Sequence, residues 1–466
     1  MVRLLQKNHV FTIRLTSTKK SSKKVVNSWI SNSNKSYTKF IKNKIENDLT
    51  LPNSQNWFAR ELIGEASGTP NDSALDPNSF HRAICPVLII GQIFGLLPVS
   101  GISSKNSKSL RFDWRTFKVL YVTIINVATT IMALISIYYM LKMMGTLDDK
   151  AAISAIFFQK LAHSWPNLVQ KWTKFELNMW EYEKTHLARD FRIMSGVILG
   201  LSFFEHALSV YINMPTMNEK GIYNDSFWNY LKEYCINSHP FIINITSYNL
   251  FVAFFIVIIS NTATFAWNFQ DLFIILISYA LTMRLKMLNK RLKISHEKNT
   301  LRRDDWRKQR ELYGEFSSLV KYVDIKMSVL IALSFLNNLY FICFRLLLGV
   351  GTEATSTFLL LNNYGGFLFM VLRAVFVTLM CGELQIYSKS ALTTVYSCPS
   401  ELFTIETERL SNQLNSDYIC LTALGFVFVT RGFLLSVAGM VATYEIVLLQ
   451  FDDKLDKQDV FSPTFK

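Results

Sequence analysis

Seven stretches of this chain are apolar for about 20 residues or more, enough for each to cross the ~30 Å hydrocarbon core of a bilayer as a helix. They fall at 117–140, 151–169, 193–213, 241–283, 327–349, 363–388 and 418–449. Inside lipid a backbone must satisfy its own polar groups, so such a chain folds as an all-α polytopic membrane protein with seven transmembrane helices. Its 466 residues would otherwise suffice for two or three soluble domains, but half of them are hydrophobic and only 18% are charged. The formal charge of +14 would point to nucleic acid in a soluble protein. Here the basic residues sit mainly between the apolar runs, where they report topology. The partners expected on these grounds are membrane lipids and no nucleic acid.

Counting Lys and Arg orients the chain. With the N-terminus cytoplasmic, the inner segments 105–118, 171–192, 284–326 and 389–409 hold 25 of them, against 7 in the outer segments 142–150, 213–240, 349–362 and 452–466. The fourth run is twice the length a span needs, and a turn at Asn261-Thr262 would divide it. Division would place the 13 basic residues of 284–326 outside, against the positive-inside tendency. The expectation is one long helix, or a helix with an upper segment folded over it. Seven spans with a cytoplasmic N-terminus invert the plan of a G-protein-coupled receptor, and the Asp-Arg-Tyr and Asn-Pro-x-x-Tyr patterns of those receptors are missing.

Between and around the spans the segments differ in kind. Residues 1–79 form a basic cytoplasmic arm, expected to be mobile, whose first 50 residues carry 11 Lys or Arg against Glu46 and Asp48. A mitochondrial transit peptide has the same composition, but no soluble domain follows it. Phe80 to Ile102 is apolar yet interrupted by Pro86, Gly91, Gly95, Pro98 and Gly101, which reads as a short interfacial or re-entrant helix. It leads a ligand-binding part at 80–283. The charged segment 284–326 keeps apolar residues at helical spacing, such as Leu292, Trp306, Leu312, Phe316 and Leu319, and reads as a cytosolic helical anchor; a solvated linker is the alternative. Spans five to seven fill 327–451, and 452–466 is an extracellular tail. The six cysteines show no metal or disulfide spacing, and Cys235 belongs to an outer loop.

Ionisable side chains within a span are costly unless they face a cavity or a partner. Counting the rise from Arg284 and from Arg192 puts Asp271 on the fourth span and Glu205 and His206 on the third at one height, about 20 Å up, as if around one aqueous pocket. Trp267 and Asn268 share the face of Asp271, and Tyr211 and Trp165 are candidate walls. Carboxylates and amides sort hydroxyl groups, and an indole stacks on a pyranose, so this set suits a neutral sugar. Loss of a pocket acceptor in Asp271→Ala is expected to abolish the response and leave surface expression intact. Asn337, Asn338, Arg345 and Arg373 have two roles open, reaching the pocket or a subunit contact, or, more commonly, hydrogen bonding to a neighbouring helix. No phosphate-binding, dinucleotide, zincin or GxSxG motif is present, so no enzyme, cofactor or metal is expected.

The last span closes on Thr443-Tyr444, five further residues, then Gln450-Phe451. This signature resembles the end of the last helix of insect gustatory receptors. "TFAWNFQDLF" from Thr264 and the Arg-Ala-Ile, Pro-Val-Leu, Phe-Gly-Leu-Leu-Pro-Val pattern after Phe80 resemble the sugar branch of that family. The resemblance runs from about Phe80 to Phe451. It implies an insect chemoreceptor channel: a homotetramer in the plasma membrane of gustatory sensory neurons, opened by a mono- or disaccharide and passing monovalent cations without selection, with divalent cations as an open alternative. It further implies that the last helix lines the pore and that the inner ends of helices four to seven form a shared anchor. Ile446, Val447 and Gln450 share a helical face suited to an apolar gate beside a ring of amides. Otherwise Gln450 marks the membrane surface and the apolar run faces lipid. A ligand-binding subunit that conducts only in a hetero-oligomer with paralogous receptors, and a secondary transporter, are the alternative functions. On intact cells a C-terminal tag should bind antibody and an N-terminal tag should not; an accessible N-terminal tag refutes the orientation.

Overall fold

Residues 3–6, 9–12, 78–143, 150–179, 186–212, 227–297, 301–347 and 364–460 are described by the structure, a computed structural model. The chain divides into two units, Met1–Ala74 and Leu75–Lys466. In the first, β1 (Arg3–Gln6) pairs antiparallel with β2 (His9–Thr12), Arg3 opposite Thr12. The basic arm thus contains a hairpin that its composition did not announce, built where strand formers such as Val10 and Phe11 cluster.

The second unit is helical. In order it comprises α1 (Phe80–Ile93), α2 (Phe117–Met143), α3 (Lys150–Asn178), α4 (Leu187–Ile212), α5 (Phe227–Ser238), α6 (Pro240–Thr246), α7 (Leu250–Glu297), α8 (Arg303–Leu347), α9 (Gly366–Tyr396), α10 (Ile405–Ser416) and α11 (Arg431–Val460). Among the described residues, α4, α7, α8 and α9 are long and apolar enough to cross a membrane. The other three expected spans overlap α2, α3 and α11, helices of 27, 29 and 30 residues.

The long fourth run is a single helix. α7 has 48 residues, ~70 Å, and continues through Asn261-Thr262 without a turn. Its upper neighbour α6 is separate, set off by Ser247 at φ 59°. The lower third of α7 and the start of α8 make helix of the charged segment expected to do so. Arg302 N–H donates to Asp305 at 3.0 Å where α8 begins. At this end Arg310 Nε donates to Glu406 of α10 at 2.8 Å, and that guanidinium holds the Glu406 carboxyl below its usual range. Cys235 lies in α5, buried against Ile242, Ala253 and Ile256.

Two boundaries differ from expectation. The last apolar run does not begin as helix at 418: β3 (Thr422–Ala423) pairs with β4 (Val427–Phe428) around Leu424 and Gly425, both at positive φ. Asp324 of α8 holds this hairpin by accepting from Thr422 N at 2.6 Å and Thr422 Oγ1 at 2.7 Å. Local chain reversal with side-chain pairing of the backbone outweighs apolar composition there. At the other end α11 runs on to Val460, so most of the expected tail is helix; residues 461–466 lie outside the described residues.

α1 is too short to span, as its glycines and prolines imply. It docks instead. Gly91 meets the ring of Phe269 so closely that a Cβ there would come within 2.6 Å of it. The start of α1 is tied down by a buried ion pair, Arg284 Nη2 to Glu176 Oε1 at 2.5 Å, joining α7 to α3. Glu176 also accepts from Phe80 N at 3.0 Å and Trp172 Nε1 at 3.2 Å, and Arg284 donates to Asn78 O at 3.3 Å. Removing one member leaves the other charge buried without compensation. Glu176→Ala should cost about 3–5 kcal/mol, seen as a lower melting temperature of the detergent-solubilised protein; an unchanged melting temperature excludes the clamp.

Candidate ligand site and pore helix

The polar residues of the spans form two tiers. The lower tier ties α7, α8 and α9 together around Asp271, which is 2% exposed. Arg373 Nε lies 2.8 Å from Asp271 Oδ2, and Asn338 Nδ2 donates to the same oxygen at 3.1 Å. Ser334 Oγ donates to Oδ1. Arg373 also donates to Asn268 Oδ1 and, at 3.1 Å, to Asn338 Oδ1, while Gln270 Nε2 donates to Leu330 O at 2.7 Å. Of the two roles left open for Asn338 and Arg373, hydrogen bonding between helices is the one found.

The upper tier lies towards the start of α7. His206 Nε2 is 2.7 Å from Asn261 Oδ1, ten residues or ~15 Å along α7 from Asp271. Glu205, its neighbour on α4, sits beside Gly366 at the start of α9, and so does Arg345 of α8. Glu205 and His206 therefore do not share a level with Asp271. The correction comes from helix tilt and docking, which counting from basic residues at each inner edge ignores.

Trp267 lies between the tiers, half-buried, its ring edge-on to Phe341 of α8 with centroids 4.5 Å apart. Trp165 is elsewhere: fully buried, it packs on Phe273 at 5.5 Å and Phe80 at 6.2 Å in the aromatic core of α1, α3 and α7. Tyr211, 60% exposed, is about a turn and a half beyond Glu205 and His206 on α4. The structure thus joins Asn268 and Asp271 through Arg373, sets Glu205 beside Gly366 and His206 against Asn261, leaves Trp267 between these sets, and assigns Trp165 to the core. Ser334 and Gly366 were missed. Ser334 had a signal, one turn before Asn338 on a face turned to Asp271; Gly366 had none, because what matters there is the side chain it lacks.

α11 packs on α8 and α9. Phe433 meets Phe335 edge-on at 5.1 Å, and Gly382 lets α9 come so close that a Cβ there would lie 3.0 Å from Arg431 N. Within the closing motif Thr443 Oγ1 donates to Gly439 O at 2.9 Å, and Tyr444 is half-buried. Ile446 and Val447 are 57% and 43% exposed. α11 continues through Gln450 and Phe451, whose side chains lie outside the described residues.

Because both Asp271 oxygens are engaged, Asp271→Ala strands Arg373 in the spans. Surface expression should fall, which reverses the expectation drawn from a free pocket carboxylate. The pair Asp271→Asn with Arg373→Gln should restore surface levels above either single variant; strict additivity in surface biotinylation refutes the coupling.

Comparison with known proteins places these tiers in a family. A family model described as trehalose receptor matches residues 31–460. The gustatory receptor for sugar taste 64a of Drosophila melanogaster is 31% identical over 403 residues, covering 82% of this chain and 86% of that protein. The fly's gustatory receptor 5a for trehalose is 28% identical over 429 residues, covering 88% and 93%. In fold the chain is similar to the insect olfactory receptor OR5 from Machilis hrabei, with a TM-score of 0.61 over 81% of this chain and 100% of that one at 13% identity. The same receptor in complex with eugenol gives a TM-score of 0.53 at 15% identity. With a multi-pass helical body and a family model spanning nearly its whole length, the chain belongs to the insect gustatory receptors, in their sugar-receptor branch, and is a receptor rather than an enzyme.

Proposed function

We propose that the chain is a sugar-gated, non-selective cation channel of the gustatory neuron plasma membrane, a homotetramer whose subunits each cross the membrane seven times from a cytoplasmic N-terminus. The sugar occupies the space bounded by Glu205 and His206 above and by Trp267 below, with Tyr211 at its mouth. Asn268 and Asp271 form the braced floor rather than the contact surface. Glu205 and His206 offer directed hydrogen bonds to hydroxyls, and the Trp267 indole offers an apolar face for the C–H side of a pyranose.

The observation that carries the channel reading is the face of α11 bearing Ile446 and Val447, exposed while the opposite side of the helix packs on α8 and α9. Copies of this face around an axis enclose an apolar constriction that dewets when closed. Opening spreads the helices until Gln450 meets the ions, and sugar drives this only through its higher affinity for the open state. The lower α7–α8 hairpin, braced by α10, serves as the anchor between subunits.

Expression of the chain alone in cells without other chemoreceptors should give sugar-evoked cation current. Ile446→Ala and Val447→Ala should raise current in the absence of sugar, because a smaller apolar ring dewets less readily. Cysteines placed along 443–451 should react with a charged thiol reagent when sugar is present. If none reacts, this helix does not line the pore. Current that needs a co-expressed paralogue would make the chain a subunit of a hetero-oligomer.

A further inference from the structure

Two opposite charges face the same gap in the upper tier. A Cβ built on Gly366 would lie 3.4 Å from Glu205 Oε1 and 4.0 Å from Arg345 Nη2. Glu205 of α4 and Arg345 of α8 are half-buried and Gly366 of α9 is buried, at one end of the helix bundle. Yet the carboxylate and the guanidinium do not meet: among the described residues neither makes an ion pair or a hydrogen bond. The contrast with the lower tier is complete, since there Asp271 and Arg373 are joined directly and every oxygen is occupied.

Unsatisfied charges in a span call for a polar occupant. The missing side chain at Gly366 provides its space. The occupant must accept from a guanidinium and donate to a carboxylate on adjacent atoms, and it must be small where it enters the notch. We propose that the notch of Glu205, Arg345 and Gly366 binds a vicinal diol of the sugar, one hydroxyl donating to Glu205 Oε1 and its neighbour accepting from Arg345 Nη2. This deepens the sugar-receptor reading and rests on it. A neutral diol satisfies both charges without adding one to the spans, and the rest of its ring then extends towards Trp267 and Phe341 between the tiers, where C–H groups find aromatic faces. Gly366 is a specificity position: any larger residue fills the place of the diol.

Equilibrium binding of radiolabelled trehalose and sucrose to the purified full-length protein tests this whether or not the chain conducts. Glu205→Gln and Arg345→Gln should each weaken binding about tenfold or more, the loss expected for a hydrogen bond to a charged group. The double variant should lose much less than the product, because one diol bridges both residues. Gly366→Val should abolish binding, and Gly366→Ala, whose methyl makes only ordinary contacts, should fold normally and bind more weakly. A deoxy sugar lacking one hydroxyl of the diol should be insensitive to one of the two charge variants. Wild-type binding with unchanged affinity in folded Glu205→Gln and Arg345→Gln overturns the notch and leaves the sugar receptor standing. No sugar binding by the wild type overturns both.

Discussion

The ion pair between Asp271 and Arg373 is the constraint on which the arrangement of α7, α8 and α9 depends. A charge at this depth costs several kcal/mol unless it is paired and hydrogen-bonded. The chain meets that demand with residues from three helices at once: Asn268 on α7, Ser334 and Asn338 on α8, Arg373 on α9. Because each polar group has few alternative partners in an apolar surround, the network fixes both the rotation and the vertical register of these helices. Gly382 and Gly91 then let α11 and α1 approach the same trio closely.

That fixed register gives the upper tier its meaning. With the lower tier locked, Glu205, Arg345 and Gly366 are held at set distances across the top of the bundle, and their charges stay apart instead of collapsing onto one another. A site whose charges already paired would have to break that pair to admit a ligand. In the proposed site the braced layer and the sugar-binding layer are separate, with Trp267 and Phe341 between them. α8 touches the proposed notch with Arg345, the lower network with Asn338 and α11 with Phe335, so under the proposed function movement of a sugar-bound upper tier reaches α11 through α8.

At the lower end the energetics change from buried networks to capped and partly exposed ion pairs. Arg310 with Glu406, Lys321 with Asp417 and Lys286 with Glu383 link the α7–α8 hairpin to α9 and α10. Individually such pairs contribute little. Their effect is to orient α10 and the β3–β4 hairpin so that α11 starts at a defined place against Gly382.

What the sequence by itself determined is whatever depends on composition along one element: the helical membrane class, the single long α7, the short α1, and the helical character of 284–326. Its motifs also sufficed for the family, because the Thr-Tyr and Gln-Phe pairs within α11 and the run around Trp267 are local strings. The chemistry at Asp271, Asn268, Glu205 and His206 was legible as costly polar residues in spans, but their partners were not. Only the tertiary structure decided that Asp271 is engaged by Arg373, Ser334 and Asn338, that Glu205 and His206 stand a tier higher, that Trp165 belongs to the core, and that 422–428 reverses as a hairpin. The hairpin rests on the reversal at Leu424 and Gly425 and on Asp324 reaching Thr422 from α8, and the other three share one physical reason. Height and facing across a bundle follow from helix tilt, close approach at glycines and competition among several partners for one carboxylate, and none of these is a property of a single helix read along its length.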